Sequence, residues 1–158
     1  MKFVYVHHGN RKIIGKPTEH DDLTELGEKD CNLVAELLNN PEVKNNAKAI
    51  FTAPVLRCQK TAQIINKHLN LPIYNTVLLK ELDKTTENWE QAQKRIITFI
   101  ENTLKEYAAN DMVICVTSGV NVAGFICKAF NIPPSENSAF IGVPNCCPLI
   151  FDINWFYF

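Results

Sequence analysis

The sequence lacks an excess of charge of either sign. Its 158 residues include 16 basic and 17 acidic side chains, which gives a formal net charge of −1 at pH 7. Proteins that bind nucleic acid or an anionic membrane over a broad surface carry a clear positive excess. We therefore expect no nucleic acid and no membrane as partner, and any anion must be bound locally by a few positioned groups.

Long apolar runs and an export signal are also absent. The run Phe3–Val6 is too short for the core of a signal peptide, and no other run approaches the length of a membrane span. These absences predict a cytoplasmic protein whose six cysteines stay reduced. The sequence has no C-x-x-C pair, and the adjacent Cys146 and Cys147 suit neither zinc nor an ordinary disulfide. We expect no metal site.

The sequence has the composition of an ordinary globular protein, with 46% apolar and 21% charged residues. Its length suits a single core, so residues 1–158 are predicted to form one domain. No internal repeat, low-complexity tract or linker divides it.

Strand-like and helix-like segments alternate along the chain. Short apolar runs predict strands at 2–6, 49–51, 73–77 and 112–116. Apolar stripes predict helices over 24–38, from an N-cap at Thr52 to 69, over 87–108 and over 119–129. Residues 138–158 are interpreted as one or two edge strands broken by Pro144 and Pro148. This order predicts an α/β three-layer sandwich with a mainly parallel central sheet and helices on both faces.

Polar residues follow three of the predicted strands. The strand ends carry His7-His8-Gly9, Thr52-Ala53-Pro54 and Thr117-Ser118-Gly119. In a mainly parallel sheet, ligands bind beyond the carboxyl ends of the strands. The three segments are therefore expected to converge on one rim of the sheet.

Two residues near this rim are typical of a phosphate site. His8 ends a strand, where a neutral imidazole is either a nucleophile, a base or metal ligand, or simply a surface histidine. Arg57 lies in the first turn of a predicted helix, where the free N–H groups and the dipole favour an anion. An arginine at this position is explained if a phosphate lies between its guanidinium and the N-terminus of the helix. The alternative is a solvated surface arginine. Arg11 either reaches the same rim or lies in a mobile loop.

Five segments together carry a family resemblance. Residues 4–9 are similar to a strand followed by Arg-His-Gly, and residues 23–27 to Leu-Thr-x-x-Gly. Residues 51–62 are similar to Ser-x-x-x-Arg-x-x-x-Thr-Ala, and residues 113–119 to a strand that ends in Ser-His-Gly. Residues 79–81 resemble the stretch that carries a catalytic acid. In this order, they resemble the histidine phosphatase superfamily, which includes phosphoglycerate mutases, phosphohistidine phosphatases and acid phosphatases.

The resemblance implies a phosphoglycerate mutase-like fold and roles for particular residues. His8 would be the nucleophile that becomes phosphorylated, and Arg57 would bind the phosphate. Glu81 would be the acid that protonates the leaving oxygen. Asp83 and Glu87 are alternatives to Glu81, and a merely solvated acidic loop is a further alternative. The family's chemistry needs no metal and no cofactor.

Two positions depart from the family pattern. His7 stands where the family has arginine, and Ser118 stands where it has a second histidine. Both positions normally bind the transferred phosphoryl group, and losing one such donor commonly costs on the order of a hundredfold in rate. His7, Ser118 and Gly119 remain expected phosphate ligands. Arg11 matches an arginine of the acid phosphatase branch and would restore one cation.

Three functions remain open at this point. The first is a phosphatase for a small phosphorylated substrate, near in size to the compact phosphohistidine phosphatases. The second is an inactive pseudophosphatase that binds a phosphoester or a protein, and the third is a scaffold with no phosphate site. The aromatic tail at 155–158 is interpreted as a contact surface, as packing on its own core, or as the interface of a homodimer.

Overall fold

The computed structural model describes residues 1–13, 18–133 and 142–153. Its elements in chain order are β1 (Lys2–His7), α1 (Glu25–Leu38), α2 (Pro41–Asn46), β2 (Ala47–Thr52), α3 (Leu56–Asn66), β3 (Ile73–Asn75), a 3₁₀ helix (Val77–Leu79), α4 (Trp89–Glu106), β4 (Met112–Thr117), α5 (Gly119–Ala129) and β5 (Pro148–Asp152). The predicted aromatic tail at 155–158 lies outside the described residues. Within the described ranges, no helix is both long and apolar enough to cross a bilayer.

The five strands form one mixed sheet in the order β3-β2-β4-β1-β5. Strands β3, β2, β4 and β1 run parallel, and β5 is antiparallel to β1. Helices α1 and α3 pack on each other, as do α4 and α5. Every residue of β4 is buried, as expected of a central parallel strand covered on both faces. The predicted α/β architecture is therefore confirmed.

Aromatic packing fixes β1 beneath α4 and α5. The ring of Tyr5 lies 4.9 Å from that of Phe125, and the ring of Phe3 lies 6.3 Å from that of Phe99. Both β1 side chains are fully buried, and burial of each contributes about 1.5–3 kcal/mol to stability. The end of β1, which carries the two histidines, is thus anchored from the middle of the core.

The predicted rim is present. The backbone N–H of His8 donates to the carbonyl of Thr117 at 3.0 Å, and that of Ala53 donates to the carbonyl of Val116 at 3.0 Å. These bonds tie the ends of β1 and β2 to the end of β4, which lies between them. The polar segments that follow the three strands are therefore side by side.

The predicted start of the third helix at Thr52 is wrong. Thr52 is the last residue of β2, and α3 begins at Leu56 after an N-cap at Val55 that makes no side-chain capping bond. The reason is Pro54, which disfavours the α conformation at the residue before it, Ala53. Arg57 nevertheless lies in the first turn of α3, as predicted.

Two other elements differ from the prediction. Helix α2 was not predicted; it begins at Pro41, and Asn40 caps it through a bond from the Val43 N–H at 3.0 Å. The predicted strand over 73–77 stops at Asn75, and the chain continues into the 3₁₀ helix. In the described part of 138–158, one edge strand forms, and it begins at Pro148.

Candidate functional site

His8 is held as a neutral imidazole whose Nε2 carries the lone pair. The ring is 5% exposed, and its Nδ1 lies 2.8 Å from the carbonyl oxygen of Gly9. A carbonyl only accepts, so Nδ1 carries the hydrogen and Nε2 carries the lone pair. Burial is the main reason that the pKa of His8 is lowered to about 3, and His7, Arg57 and Arg11 lower it further. His8 is therefore uncharged at neutral pH, as a nitrogen nucleophile must be.

Arg57 faces this lone pair directly. Its Nε donates to His8 Nε2 at 3.1 Å, and its Nη1 donates to the carbonyl of Thr18 at 2.8 Å. Its Nη2 makes an ion pair with the carboxylate of Glu81. The guanidinium is only 2% exposed, so a buried cation stands next to the neutral imidazole and one carboxylate balances its charge.

A cavity of about 460 Å³ opens onto the Arg57 side of this group. Thr18, Arg57, Lys80 and Glu81 are among its lining residues. Its size falls within the range of small-molecule sites, roughly 300–1,000 Å³. A ligand in this cavity would meet Arg57 and Glu81 first, and His8 lies behind them.

His7 packs beside His8 but brings no charge. The two rings meet edge to face at 4.6 Å, and His7 Nδ1 lies 2.7 Å from the carbonyl of Val143. Its ring also covers Gly119, where an added Cβ would lie 3.0 Å from the imidazole. Burial lowers the pKa of His7 despite the opposing effect of the backbone carbonyls of Val143 and Pro144, which accept hydrogen bonds from its ring. A neutral His7 therefore does not replace the cation of the arginine that the family has at this position.

Ser118 is buried without a hydrogen-bond partner. The side chain is 3% exposed, and its Oγ has no partner in the structure. Although Ser118 is the N-cap residue of α5, it makes no side-chain capping bond. An unpaired buried hydroxyl costs about 1–3 kcal/mol, and a bound anion would remove that cost by accepting its hydrogen.

Arg11 is paired with an acid. Its guanidinium forms an ion pair with Asp21, and hydrogen bonds, chiefly from Thr18, hold the pKa of Asp21 below its usual range. The backbone of Arg11 also pairs with that of Leu23 in an isolated bridge. The part of Arg11 in phosphate binding stays a prediction.

Three polar residues that support the site were not predicted. Asn145 donates to the carbonyl of His8 at 2.8 Å and lies 3.5 Å from His7 Nε2. Thr61 accepts from the Gly9 N–H at 3.0 Å, and Asn121 donates to the carbonyls of residues 79 and 80. Thr61 had a signal in the sequence, since it lies four residues after Arg57 on one helix face. Asn145 lies in a loop and had none.

Of the predicted site residues, the structure connects five in a row: Gly119, His7, His8, Arg57 and Glu81. Ser118 lies buried on the same rim, and Arg11 is paired elsewhere. The described residues contain no cluster of three histidine, cysteine or acidic side chains that could hold a metal ion. The site thus consists of a neutral imidazole, a buried cation, and a carboxylate at the mouth of a cavity.

A family model described as histidine phosphatase superfamily (branch 1) matches residues 7–86. The match begins at the two histidines of the rim and includes Arg57 and Glu81. It ends before β4, and therefore before Ser118 and Gly119. No curated protein sequence matches the chain.

Solved structures with the same fold include three enzymes or candidate enzymes. Phosphoserine phosphatase from Entamoeba histolytica, with 3-phosphoglyceric acid bound, is 18% identical with a TM-score of 0.78 over 97% of this chain and 91% of that one. A candidate alpha-ribazole-5'-P phosphatase from Escherichia coli is 16% identical with a TM-score of 0.81 over 98% and 91%. A candidate phosphohistidine phosphatase SixA from Agrobacterium tumefaciens is 14% identical with a TM-score of 0.71 over 96% and 90%. At these identities the likeness shows the fold.

Proposed function

The chain belongs to the histidine phosphatase superfamily, and on this premise we propose that it binds phosphate monoesters between His8 and Arg57 and hydrolyses them slowly. One observation carries the proposal. The Nε2 lone pair of a buried, neutral His8 faces the Nε–H of a buried Arg57 at 3.1 Å. A nucleophile and a bidentate phosphate ligand are therefore already adjacent.

The reaction would proceed in two steps. His8 Nε2 attacks phosphorus in line, the P–O bond to the leaving group breaks, and Glu81 gives its proton to the departing oxygen. Water then attacks the phosphohistidine and gives its proton to Glu81, inorganic phosphate leaves, and His8 is again neutral. Arg57 holds the equatorial oxygens throughout. This sequence is supported by the order His8–Arg57–Glu81 in the structure.

Substrate binding requires Arg57 to exchange partners. In the structure its Nε and Nη2 donate to His8 and Glu81, and both must turn to phosphate oxygens. The Glu81 carboxylate would repel a phosphate dianion, so a productive complex has Glu81 protonated. A protonated carboxyl at this point is also what a general acid requires.

We expect slow turnover because of His7 and Ser118, the two rim residues that depart from the family pattern. His7 is neutral because burial lowers its pKa, and Ser118 offers a hydroxyl without charge. Stabilisation of charge is the main task of a phosphoryl-transfer site. With one positioned cation at His8, we expect a rate at least a hundredfold below that of a site with a full set of donors.

A small phosphorylated substrate is favoured by the cavity of about 460 Å³ and by Lys80, which lines it with Arg57. The Entamoeba phosphoserine phosphatase has been solved with 3-phosphoglyceric acid and, as a variant, with phosphoserine. Substrates of that class, a phosphate ester beside a carboxylate, would place the second anion near Lys80. A single domain, a cytoplasmic location and a homodimeric state stay predictions.

A second candidate is a pseudophosphatase that binds phosphate without turnover. It is favoured by the pairing of both candidate cations with acids, Arg57 with Glu81 and Arg11 with Asp21. The unpartnered Oγ of Ser118 in place of a second histidine favours it as well.

Hydrolysis of an aryl phosphate distinguishes the two candidates. We expect slow turnover by the wild type, none by His8→Ala, and an increase of at least about tenfold in Ser118→His, which restores a donor. The exposed His68→Ala is the matched control and should keep the wild-type rate. Absence of wild-type activity together with recovery in Ser118→His would establish the pseudophosphatase. If the wild type is active and His8→Ala keeps that activity, His8 is neither the nucleophile of a phosphatase nor part of a pseudophosphatase site.

A further inference from the structure

Two cysteines far apart in sequence meet beneath the His8 segment. The Sγ atoms of Cys31 in α1 and Cys146 in the loop before β5 lie 3.4 Å apart. Both thiols are free and buried. Disulfide sulfurs lie about 2.05 Å apart, so the pair needs to close by only about 1.4 Å to form a bond.

Both cysteines contact the backbone that carries the two histidines, Cys31 through its sulfur and Cys146 through its backbone N–H. A Cβ on Gly9 would lie 2.7 Å from the sulfur of Cys31, so the two residues are in tight contact. Thr61 Oγ1 accepts hydrogen bonds from the Gly9 N–H at 3.0 Å and from the Cys31 thiol at 3.5 Å. The N–H of Cys146 donates to the carbonyl of His7 at 2.9 Å. A movement of either cysteine is therefore transmitted to residues 7–9.

A small oxidant can reach Cys146, whose sulfur adjoins that of the fully buried Cys31. Cys146 lines a cavity of about 380 Å³ that is separate from the one at Arg57, together with Asp30, Val34 and Asn145. Hydrogen peroxide is far smaller than this cavity. Access from this side does not require a molecule to pass through the phosphate site.

Hydrogen bonding assigns the two sulfurs different tasks. The bond from Cys146 is the main cause that lowers the pKa of the Cys31 thiol, with a further contribution from Thr61. The same bond raises the pKa of Cys146. Cys31 is therefore the sulfur that becomes a thiolate, which is the reactive form, and Cys146 keeps the proton.

We propose that Cys31 and Cys146 are an oxidation site at which a peroxide forms a disulfide, and that this disulfide weakens anion binding at His8. The Cys31 thiolate attacks one peroxide oxygen, the O–O bond breaks, and hydroxide departs. Cys31 is then a sulfenic acid. The sulfur of Cys146 then displaces that hydroxyl group. Two thiols and one hydrogen peroxide yield one disulfide and two waters, so the sulfurs are oxidised and the peroxide is reduced.

The effect on the site follows from the residues next to Cys146. Asn145 holds the carbonyl of His8, and Val143 holds the ring of His7. Closing the sulfur pair draws the Cys146 loop toward α1 and shifts these two contacts. Phosphate ligands must be held to within about 0.5 Å, so a displacement of this size weakens the site. This second half of the inference rests on the proposed function, whereas formation of the disulfide does not.

Peptide mapping under non-reducing conditions tests the bond itself. After treatment of the full chain with hydrogen peroxide, we expect a single linked pair of peptides that contain Cys31 and Cys146. Cys31→Ser and Cys146→Ser should each abolish it. Cys147→Ser is the matched control, since Cys147 adjoins Cys146 and is more exposed, and it should leave the link intact. A link through Cys147, or no link in the wild type, would overturn the proposal.

Calorimetric titration with inorganic phosphate tests the coupling. We expect the oxidised wild type to bind at least about tenfold more weakly than the reduced protein, with full recovery after dithiothreitol. Peroxide-treated Cys31→Ser and Cys146→Ser should bind like the reduced wild type. A mapped disulfide with unchanged affinity would refute the coupling. If the reduced wild type binds no phosphate, the proposed function fails, and peptide mapping still decides the disulfide.

Discussion

The half of the site supplied by β1 and α3 differs from the half supplied by β4 and α5. In the first half, His8 and Arg57 are buried and hydrogen-bonded to each other. In the second, the Oγ of Ser118 is just as deeply buried and has no partner. The same rim thus holds a complete pair of groups next to an incomplete one.

The sheet explains how this difference can persist. Strand β4 lies between β2 and β1 and is buried along its whole length, so it maintains the fold whatever residue follows it. A change of the residue that follows β4 can therefore alter the chemistry of the rim without altering the architecture. Fold and activity depend on different residues of the same strand and its end.

Removal of Arg57 should have the largest effect on the first half. We expect Arg57→Ala to weaken binding of inorganic phosphate by about a hundredfold or more, because the bidentate ligand is lost. Arg57→Lys keeps the charge but not the planar guanidinium, and its affinity for phosphate should lie between those of the wild type and Arg57→Ala. Calorimetric titration checks this, with circular dichroism as the control for folding. Equal affinity in Arg57→Ala and the wild type would remove the basis for a site in this half.

Acid should destabilise the protein through His8. The folded pKa of His8 is about 3, whereas an unfolded histidine titrates near 6.5. Below about pH 6.5 the unfolded chain takes up a proton that the folded chain does not, so stability is full above that pH and is lost as pH falls toward 3. Linkage gives a loss of about 2 kcal/mol between pH 7.5 and pH 5 from this residue.

Urea unfolding of the wild type and His8→Gln at these two pH values measures the loss. His8→Gln should lack the part of the stability loss that comes from His8, and the variant His68→Gln, at an exposed position, should retain it. If His8→Gln and the wild type lose stability equally, His8 is not buried as a neutral imidazole.

Glu81 should oppose phosphate binding even though it supports turnover. In Glu81→Gln the carboxylate no longer competes for Arg57, and we expect affinity for inorganic phosphate to rise roughly threefold to tenfold. Hydrolysis should fall, because the acid is lost. Glu90→Gln removes an exposed acid of α4 and is the control for net charge. Weaker phosphate binding in Glu81→Gln would show that Glu81 positions Arg57 rather than competing for it.

The half of the site supplied by β4 and α5 can be tested by substituting two adjacent residues, Ser118 and Thr117. Ser118→Ala removes a hydroxyl without a partner, and we expect the free energy of unfolding to stay unchanged or to rise by up to about 1 kcal/mol. Thr117→Val removes a hydroxyl that donates to the carbonyl of Leu79 at 2.7 Å, and we expect a loss of about 1–3 kcal/mol. Denaturant unfolding of both variants checks this. A clear loss in Ser118→Ala would mean that its hydroxyl is paired.

The fold could be predicted from the sequence where the signal is local and periodic. The apolar run at 112–116 and the stripe that contains Ala92, Ile96 and Ile100 give the central strand and α4, and both are buried as expected. The start of α3 could not be placed by capping preference alone, because Pro54 acts on the residue before it. The short helix α2, which begins at Pro41 after its cap Asn40, was not predicted.

The site could be predicted only in part. His8 and Arg57 follow from strand ends and from a cation placed in the first turn of a helix. The ion pairs that occupy Arg57 and Arg11 depend on how the loops fold back, and no spacing in the sequence reveals them. The same holds for Asn145 and for the contact of Cys31 with Cys146, whose sulfurs meet across 115 residues of chain.

A crystal structure with orthovanadate tests the central claim most directly, because vanadate mimics both phosphate and the pentacovalent state of phosphoryl transfer. The vanadium should be bonded to His8 Nε2, with Arg57 turned from His8 and Glu81 onto the equatorial oxygens. Vanadate bound elsewhere, or an Arg57 that keeps its bonds to His8 and Glu81 at saturating vanadate, would contradict the assignment of His8 and Arg57 as the phosphate site.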